Sequence, residues 1–167
     1  DIAMRLLLAN DESMAGQARA LAERLDAENI RRRTEEQEIV ARARKVIESD
    51  PDVGARTVLV VAGEGWHRGV IGIVASKIVD AFYRPTIVLS IEDGVAHGSC
   101  RSIPGFDMLG ALESCAPLML RFGGHKQAAG LSLQAERIEE LRRRLNDYAV
   151  AHLTAEDIVP ELEIDPR

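Results

Sequence analysis

The sequence has few cysteines, few aromatic residues and no long apolar run, and each shortage excludes a class of protein. Its two cysteines, Cys100 and Cys115, belong to no CxxC pair and have no histidine at metal-ligand spacing, which argues against a disulfide scaffold and against a zinc site. No stretch approaches the ~20 apolar residues of a membrane span, and the first residues lack the features of a signal peptide. We therefore expect a cytoplasmic protein without a membrane segment, in which both cysteines are buried as small hydrophobic residues.

The overall charge limits the function classes only in part. A net charge of −6 at pH 7 opposes a generic basic coat for nucleic acid, but it leaves room for a locally positive groove. The 167 residues, 46% of them hydrophobic, are enough for one ordinary domain with an appendage. Because the chain starts with Asp1 and stops at ELEIDPR, we interpret it as part of a longer protein.

A long helix is predicted over residues 11–49. This stretch has no proline and a single glycine, and Ala, Leu, Glu and Arg dominate it. Apolar residues keep helical spacing at both ends, whereas residues 29–38 are almost entirely polar. A helix that loses its apolar stripe midway is typical of a connector between two bodies. The alternative is an ordinary amphipathic helix that is broken near Asn29.

The rest of the chain alternates between strand and helix patterns. Two β-branched apolar runs flank a segment with helical spacing, which is the pattern of a βαβ unit, and Asp93-Gly94 predicts a hairpin turn. The predicted elements are strands 57–62, 86–91, 95–101 and 128–133, helices 70–83 and 134–153, and one or two short helices within 106–120. The predicted fold class is α/β, a mixed β-sheet flanked by helices and preceded by the long connector helix.

The segment GEGWHRGVIG, residues 63–72, follows the first strand. Open α/β sheets bind ligands at the carboxyl ends of strands, and the amino terminus of the next helix favours anions. The segment matches neither a P-loop nor a GxGxxG fingerprint, so it does not indicate a nucleotide cofactor. Trp66 is either a packed lid or a base-stacking residue, and His67 either contacts a ligand or orients the loop.

The segment HGSCRSIPGFD, residues 97–107, carries Ser99, Arg101 and Ser102. Residues two apart in a strand share a face, so Ser99 and Arg101 should point the same way. A hydroxyl beside a guanidinium fork is suited to phosphate. The alternative is that Arg101 is an ordinary solvated arginine.

The segment RFGGHKQAAG, residues 121–130, is interpreted as a loop that holds an anion or a nucleotide. Gly123 and Gly124 permit positive φ and close approach of another molecule, while His125 and Lys126 offer donors and charge. The alternative is a plain turn that feeds the strand 128–133.

The sequence does not indicate a hydrolytic centre of its own. Its acidic residues form no close Asp/His cluster, and its four histidines are not at ligand spacing. The residues alone therefore predict a binding module.

Three motifs taken in order resemble one family. GEGWHRGVIGIVASKIVDAFYRPTIVLS, GSCRSIPGFDMLGALESC and LRFGGHKQAAGLSL are similar to the C-terminal half of the catalytic core of the RecJ family, single-stranded-DNA-specific 5′ to 3′ exonucleases of the DHH phosphoesterase superfamily. The resemblance covers residues 57–150, and GGHKQAAG is its most specific part. LAERLDAENIRRRTEEQEI also looks like the family's interdomain connector, and ELEIDPR looks like the start of an OB-type domain.

The resemblance implies the substrate-binding part of a metal-dependent exonuclease of DNA repair and recombination. Single-stranded DNA is the expected partner. In this family the preceding DHH domain binds manganese or magnesium, so no metal ligand and no catalytic residue is expected in this chain. The motifs place Ser99, Arg101 and Ser102 at the terminal phosphate and backbone of the strand, and Gly123, Gly124 and His125 at the cleft edge facing the scissile phosphate. Residues 64–69, with Trp66 and His67 among them, are expected to line the same groove.

The resemblance also implies three parts. Residues 1–54 are the end of a preceding domain and the connector helix, residues 55–153 the DHH-associated nucleic-acid-binding domain, and residues 154–167 the lead-in to an OB-type domain. The DHH and OB-type domains are thus expected partners. Two alternatives remain open, a DHH-superfamily phosphoesterase for short oligonucleotides or cyclic dinucleotides and a non-catalytic domain that docks a protein.

Overall fold

The structure is a computed structural model that describes residues 15–154 and 156–159. The chain divides into two compact units, Asp1–Glu38 and Ile39–Arg167. Helix α1 (Ala15–Glu48) continues across this boundary without interruption. The long helix is therefore confirmed, and the alternative break near Asn29 is wrong. Residues 11–14 of the predicted helix and residues 160–167 of the predicted lead-in lie outside the described residues, and the three-part division stays a prediction.

The second unit is built on a five-stranded sheet in the order β1-β2-β3-β5-β4. Its strands are β1 (Leu59–Glu64), β2 (Thr86–Glu92), β3 (Val95–Arg101), β4 (Met119–Gly124) and β5 (Ala128–Gln134). Its helices are α2 (Ile71–Phe82), α3 (Met108–Ser114) and α4 (Ile138–His152). Because β1 and β2 are parallel and the other pairs antiparallel, the predicted mixed α/β sheet is confirmed.

One segment predicted as a loop is a strand. Residues 121–124 belong to β4, which pairs with β5 and has an irregularity between Met119 and Arg121. Phe122 explains the difference, because its side chain packs against the apolar core and draws this stretch onto the sheet edge. The loop interpretation is therefore wrong for residues 121–124, and only residues 125–127 form a turn.

The hairpin predicted at Asp93-Gly94 is confirmed. Both residues have positive φ, 48° and 77°, as the tight turn between two paired strands requires. The turn fixes a register in which Val88 pairs with Ser99 and Thr86 with Arg101. This register sets which face of the sheet carries the polar residues of β3.

The two faces of the sheet are covered by different helices. On one face, α3 and α4 bury the larger core, with Leu112, Leu141 and Leu145 fully enclosed. On the other face, α2 and residues 39–47 of α1 pack over apolar residues of β1 and β2. No residue of β3, β4 or β5 belongs to this second cluster, and polar residues occupy that part of the face.

Both cysteines are buried and free, as predicted. Burial raises the pKa of the Cys100 thiol to about 12, so the thiol stays protonated at neutral pH and is not a nucleophile. Within the described ranges, none of the helices combines the length and the apolar character that crossing a membrane requires.

Side chains of α4 close the free edge of the sheet at β1. The Asn146 carboxamide accepts from the N–H groups of Thr57 and Val58 at 2.8 and 3.0 Å and donates to the Val58 carbonyl at 3.1 Å. Arg142 donates to the Val60 carbonyl at 3.0 Å. These bonds occupy backbone groups that would otherwise be available for pairing with another strand.

Replacing Asn146 by alanine is expected to lower the free energy of unfolding by about 2 kcal/mol, because three part-buried backbone groups lose their partner. Asp147→Ala is the matched control, since Asp147 makes only an exposed ion pair with Arg143 and should cost less than about 0.5 kcal/mol. Urea unfolding measures both variants. Equal losses in the two would contradict the edge-closing role of Asn146.

Candidate nucleic-acid interface

A groove of about 600 Å³ lies over the polar part of the sheet. Its lining includes Arg68 and Ile71 near the start of α2, His97 and Ser99 of β3, Arg121 and Gly123 of β4, and Gly130 and Ser132 of β5. The strand register explains the assembly, because Ser99, Gly130 and Gly123 form one cross-strand row and His97, Ser132 and Arg121 form the next. Residues paired across neighbouring strands stand side by side on one face.

Glycines make the base of the groove flat. A Cβ atom added at Gly123 would meet nothing within 4 Å, and one at Gly130 would approach only the Gly98 carbonyl oxygen, at 3.7 Å. Bare backbone is thus exposed between polar side chains. A ligand can approach this backbone more closely than it could approach a row of side chains.

Ser99 and Arg101 converge beside the first turn of α2. The Arg101 Nη1 atom lies 3.2 Å from Ser99 Oγ and 2.8 Å from the Cys100 carbonyl oxygen. A Cβ atom at Gly72 would come within 3.1 Å of both Arg101 Nη2 and Ser99 Oγ, so this glycine makes room for the pair. The prediction that Ser99 and Arg101 share a face is confirmed.

The two predicted glycines of β4 differ in what they do. Gly123 lines the groove. Gly124 instead allows a backbone conformation with a φ of 147°. A Cβ at Gly124 would lie 2.5 Å from both the Ala128 carbonyl oxygen and the Ala129 Cα. The end of β4 can therefore pair closely with β5 only because residue 124 has no side chain.

His125 stands exposed in the turn that follows β4. Its backbone N–H donates to the Ala128 carbonyl at 2.9 Å, and its Nδ1 accepts from the Gln127 N–H at 3.3 Å. An accepting Nδ1 assigns the proton of the neutral ring to Nε2, which is then presented as a donor. His125 does not line the groove, and its place opposite a scissile phosphate stays a prediction.

Trp66 is 5% exposed and packs in the core beneath α2. A Cβ at Gly63 would fall 2.1 Å from the indole, so Gly63 leaves space for the ring. The Ser90 hydroxyl also donates to the Trp66 carbonyl. This burial matches the packed-lid alternative, and contact of Trp66 with substrate stays a prediction.

Ser102 holds two loops together. Its hydroxyl donates to the Phe106 carbonyl at 2.8 Å, and its N–H donates to the Gln127 carbonyl at 2.9 Å. The hydroxyl proton is thus committed within the protein, and Ser102 does not line the groove. A contact of Ser102 with substrate stays a prediction.

Sequence reasoning missed three polar residues of the groove, His97, Arg121 and Ser132, and it included Arg68 only within residues 64–69, which the resemblance places along the groove. His97 could have been found, because it lies two residues before Ser99 on the same strand face. Arg121 has the same relation to Gly123, but that relation requires residues 121–124 to be a strand. None of the described residues that line the groove is acidic, so the groove is locally positive in a chain of net charge −6.

The described residues offer no metal centre. Across residues 15–154 and 156–159, no three His, Cys, Asp or Glu side chains come together as metal ligands. The described residues therefore supply no set of ligands that would fit a catalytic metal ion. What the arrangement can do chemically is to hold an anion by a guanidinium fork, hydroxyls and imidazole N–H groups.

Residues 55–151 match the model of the DHHA1 domain family. The chain belongs to the DHHA1 domain family. It is 43% identical to the single-stranded-DNA-specific exonuclease RecJ of Bacillus subtilis over 168 residues, which cover 99% of this chain and 21% of that protein. It is 35% identical to RecJ of Thermus thermophilus, covering 99% of this chain and 24% of that protein. The DHHA1 chain thus spans about a fifth to a quarter of these relatives.

Solved RecJ structures share the fold of this DHHA1 chain. A RecJ exonuclease bound to manganese superposes with a TM-score of 0.79 at 35% identity, over 97% of this chain and 38% of that one. The Thermus thermophilus RecJ complex with Mg²⁺ gives 0.76 at 35% identity, over 90% of this chain and 22% of that one. The resemblance to RecJ predicted from the three motifs is confirmed.

Proposed function

We propose that this chain is the substrate-binding part of a RecJ-type exonuclease, an enzyme that hydrolyses phosphodiester bonds of single-stranded DNA from the 5′ end in repair and recombination. The observation that carries the proposal is the Ser99–Arg101 pair at the side of a groove whose charged lining residues are arginines. Similarity to single-stranded-DNA-specific exonucleases along 99% of the chain supports it.

In this proposal the terminal phosphate of the strand binds Ser99 and Arg101. A guanidinium offers several N–H donors in a fixed fork and stays charged at any physiological pH, and a neighbouring hydroxyl adds a neutral donor. The flat base at Gly123 and Gly130 lets the sugar-phosphate backbone lie close to β4 and β5. His125 would donate from Nε2 to a phosphate at the end of β4.

The related RecJ structures contain Mg²⁺ or Mn²⁺, and such an ion supplies an activated water for phosphodiester hydrolysis. Since the described residues of this chain include no ligand set for it, the role we assign to them is to bind and orient the strand. DHH and OB-type domains of the same protein, in the cytoplasm, complete the proposed enzyme.

A binding experiment tests the proposal. Fluorescence anisotropy with a 3′-labelled oligonucleotide is expected to show that the chain binds a 5′-phosphorylated single strand more tightly than the 5′-hydroxyl strand or a blunt duplex. Adding Mn²⁺ is expected to give no cleavage by a preparation free of other nucleases. Failure to bind single strands, equal binding to the duplex, or Mn²⁺-dependent cleavage by the chain itself would overturn this assignment.

A further inference from the structure

Two arginines line the groove together with Ser99, whereas Arg101 stands beside the lining, in contact with Ser99. Arg68 lies in the turn before α2, and Arg121 lies on β4. Both are exposed, and neither forms an ion pair with a described residue. Two cations on one cavity without an acidic lining residue repel each other, and a bound anion relieves that repulsion.

We propose that Arg68 and Arg121 form a second phosphate site, which binds an internucleotide phosphate further along the strand than the one held by Ser99 and Arg101, and that His67 positions Arg68. This proposal rests on the proposed function, because it assumes that a DNA strand occupies the groove. It adds two phosphate contacts, Arg68 and Arg121, and one positioning residue, His67, to the terminal-phosphate site of Ser99 and Arg101.

The register of the β-strands gives the distance between the two proposed phosphate sites. Arg121 belongs to the row with Ser132 and His97, which follows the row of Gly123, Gly130 and Ser99. Arg121 is two residues along the strand direction from the row of Ser99, roughly 7 Å, and two strands across the sheet, roughly 10 Å, so the two positions are roughly 12 Å apart. A phosphate beside Arg121 is therefore about two nucleotide steps of an extended strand from a phosphate beside Ser99.

A short turn presents Arg68 to the groove, and His67 closes that turn. The His67 Nδ1 accepts from the Gly69 N–H at 3.0 Å, and the His67 carbonyl accepts from the Val70 N–H at 3.0 Å. A Cβ at Gly69 would lie 2.8 Å from the imidazole Cε1, so the ring packs directly over that glycine. The ring thus fixes the backbone on both sides of Arg68.

Variants of the two arginines test the second phosphate site. Arg68→Ala and Arg121→Ala are each expected to weaken binding of single-stranded oligonucleotides by the whole chain roughly three- to tenfold. The loss should be equal for 5′-phosphorylated and 5′-hydroxyl strands, and the dependence of log K on log salt concentration should fall by about 0.7 per variant. Arg143→Ala, on the exposed surface of α4, is the matched control and should retain the original affinity and salt slope.

Two variants of His67 separate positioning from contact. Asparagine can also accept from the N–H two residues later, so His67→Asn is expected to retain binding. His67→Ala is expected to weaken binding as much as Arg68→Ala. The variant that combines His67→Ala with Arg68→Ala should show no further loss, because both changes remove the contact between Arg68 and the phosphate. A loss in His67→Asn equal to that in His67→Ala would overturn the positioning role.

The outcomes of these experiments distinguish failure of the second phosphate site from failure of the proposed function. If the unchanged chain does not bind single strands, the proposed function fails and the second site fails with it. If Arg101→Ala weakens binding while Arg68→Ala and Arg121→Ala match Arg143→Ala, the proposed function stands and only the second phosphate site is overturned.

Discussion

Replacing Arg101 by alanine is expected to weaken binding of a 5′-phosphorylated single strand by about 1.5–3 kcal/mol, roughly ten- to a hundredfold, and to abolish the preference for the phosphorylated end. The reason is the loss of a charged fork that converges with the Ser99 hydroxyl at 3.2 Å. Anisotropy titrations with phosphorylated and hydroxyl-ended strands measure both effects in one experiment.

The controls separate binding from folding. Arg101→Lys keeps the charge but lacks the fork, so it should recover part of the affinity and little of the end preference. Arg137→Ala removes an exposed arginine that pairs with Glu140 at the start of α4 and should leave both unchanged. If Arg101→Ala instead unfolds the protein while the affinity of the folded fraction is unchanged, Arg101 is a structural residue and the phosphate assignment is wrong.

The parts of the fold with strong local signals were predictable from the sequence. The Asp93-Gly94 turn, between two runs of strand character, predicted the hairpin, and the two-residue period of the strand predicted the shared face of Ser99 and Arg101. The absence of proline from residues 11–49 predicted helix α1. In each case the local preference and the tertiary structure agree, which is the condition under which pattern reasoning succeeds.

The edge strand β4 was not predictable in the same way. Gly123-Gly124 is a strong turn signal, and only the packing of Phe122 on the core and the pairing with β5 override it. Pairing between strands is a tertiary property that propensity does not record. Missing β4 also hid Arg121, whose place in the groove follows from the strand period.

The roles of Trp66 and His67 depend on contacts that no motif contains. Burial of the indole against Gly63 is visible only once α2 and the sheet are assembled. The bond from the Gly69 N–H to the His67 ring is local, but a sequence pattern does not tell whether the imidazole turns inward to the loop or outward to a ligand. The structure gives the ring an inward bond, and this leaves Arg68 as the side chain that faces the groove.

The adjacent glycines of β4 are expected to respond in opposite ways to alanine. Gly124→Ala should destabilise the protein by about 3 kcal/mol or more, because the positive φ is strained for any other residue and the new Cβ would meet backbone atoms at 2.5 Å. Gly123→Ala should change stability by less than about 1 kcal/mol, since its Cβ would have open space. Urea unfolding of both variants gives the comparison.

The affinity of the folded protein for single strands is expected to show the opposite order, with the larger loss in the Gly123 variant. The methyl group at residue 123 would stand on the base of the groove, where it keeps a sugar-phosphate backbone from approaching β4, so Gly123→Ala should lose affinity for single strands although it folds normally. Gly123→Val should lose more, because the side chain is larger in the same open space. If Gly123→Ala binds single-stranded DNA as tightly as the original chain, the strand does not lie along the row of Gly123, Gly130 and Ser99, and the path proposed for it over the sheet is wrong.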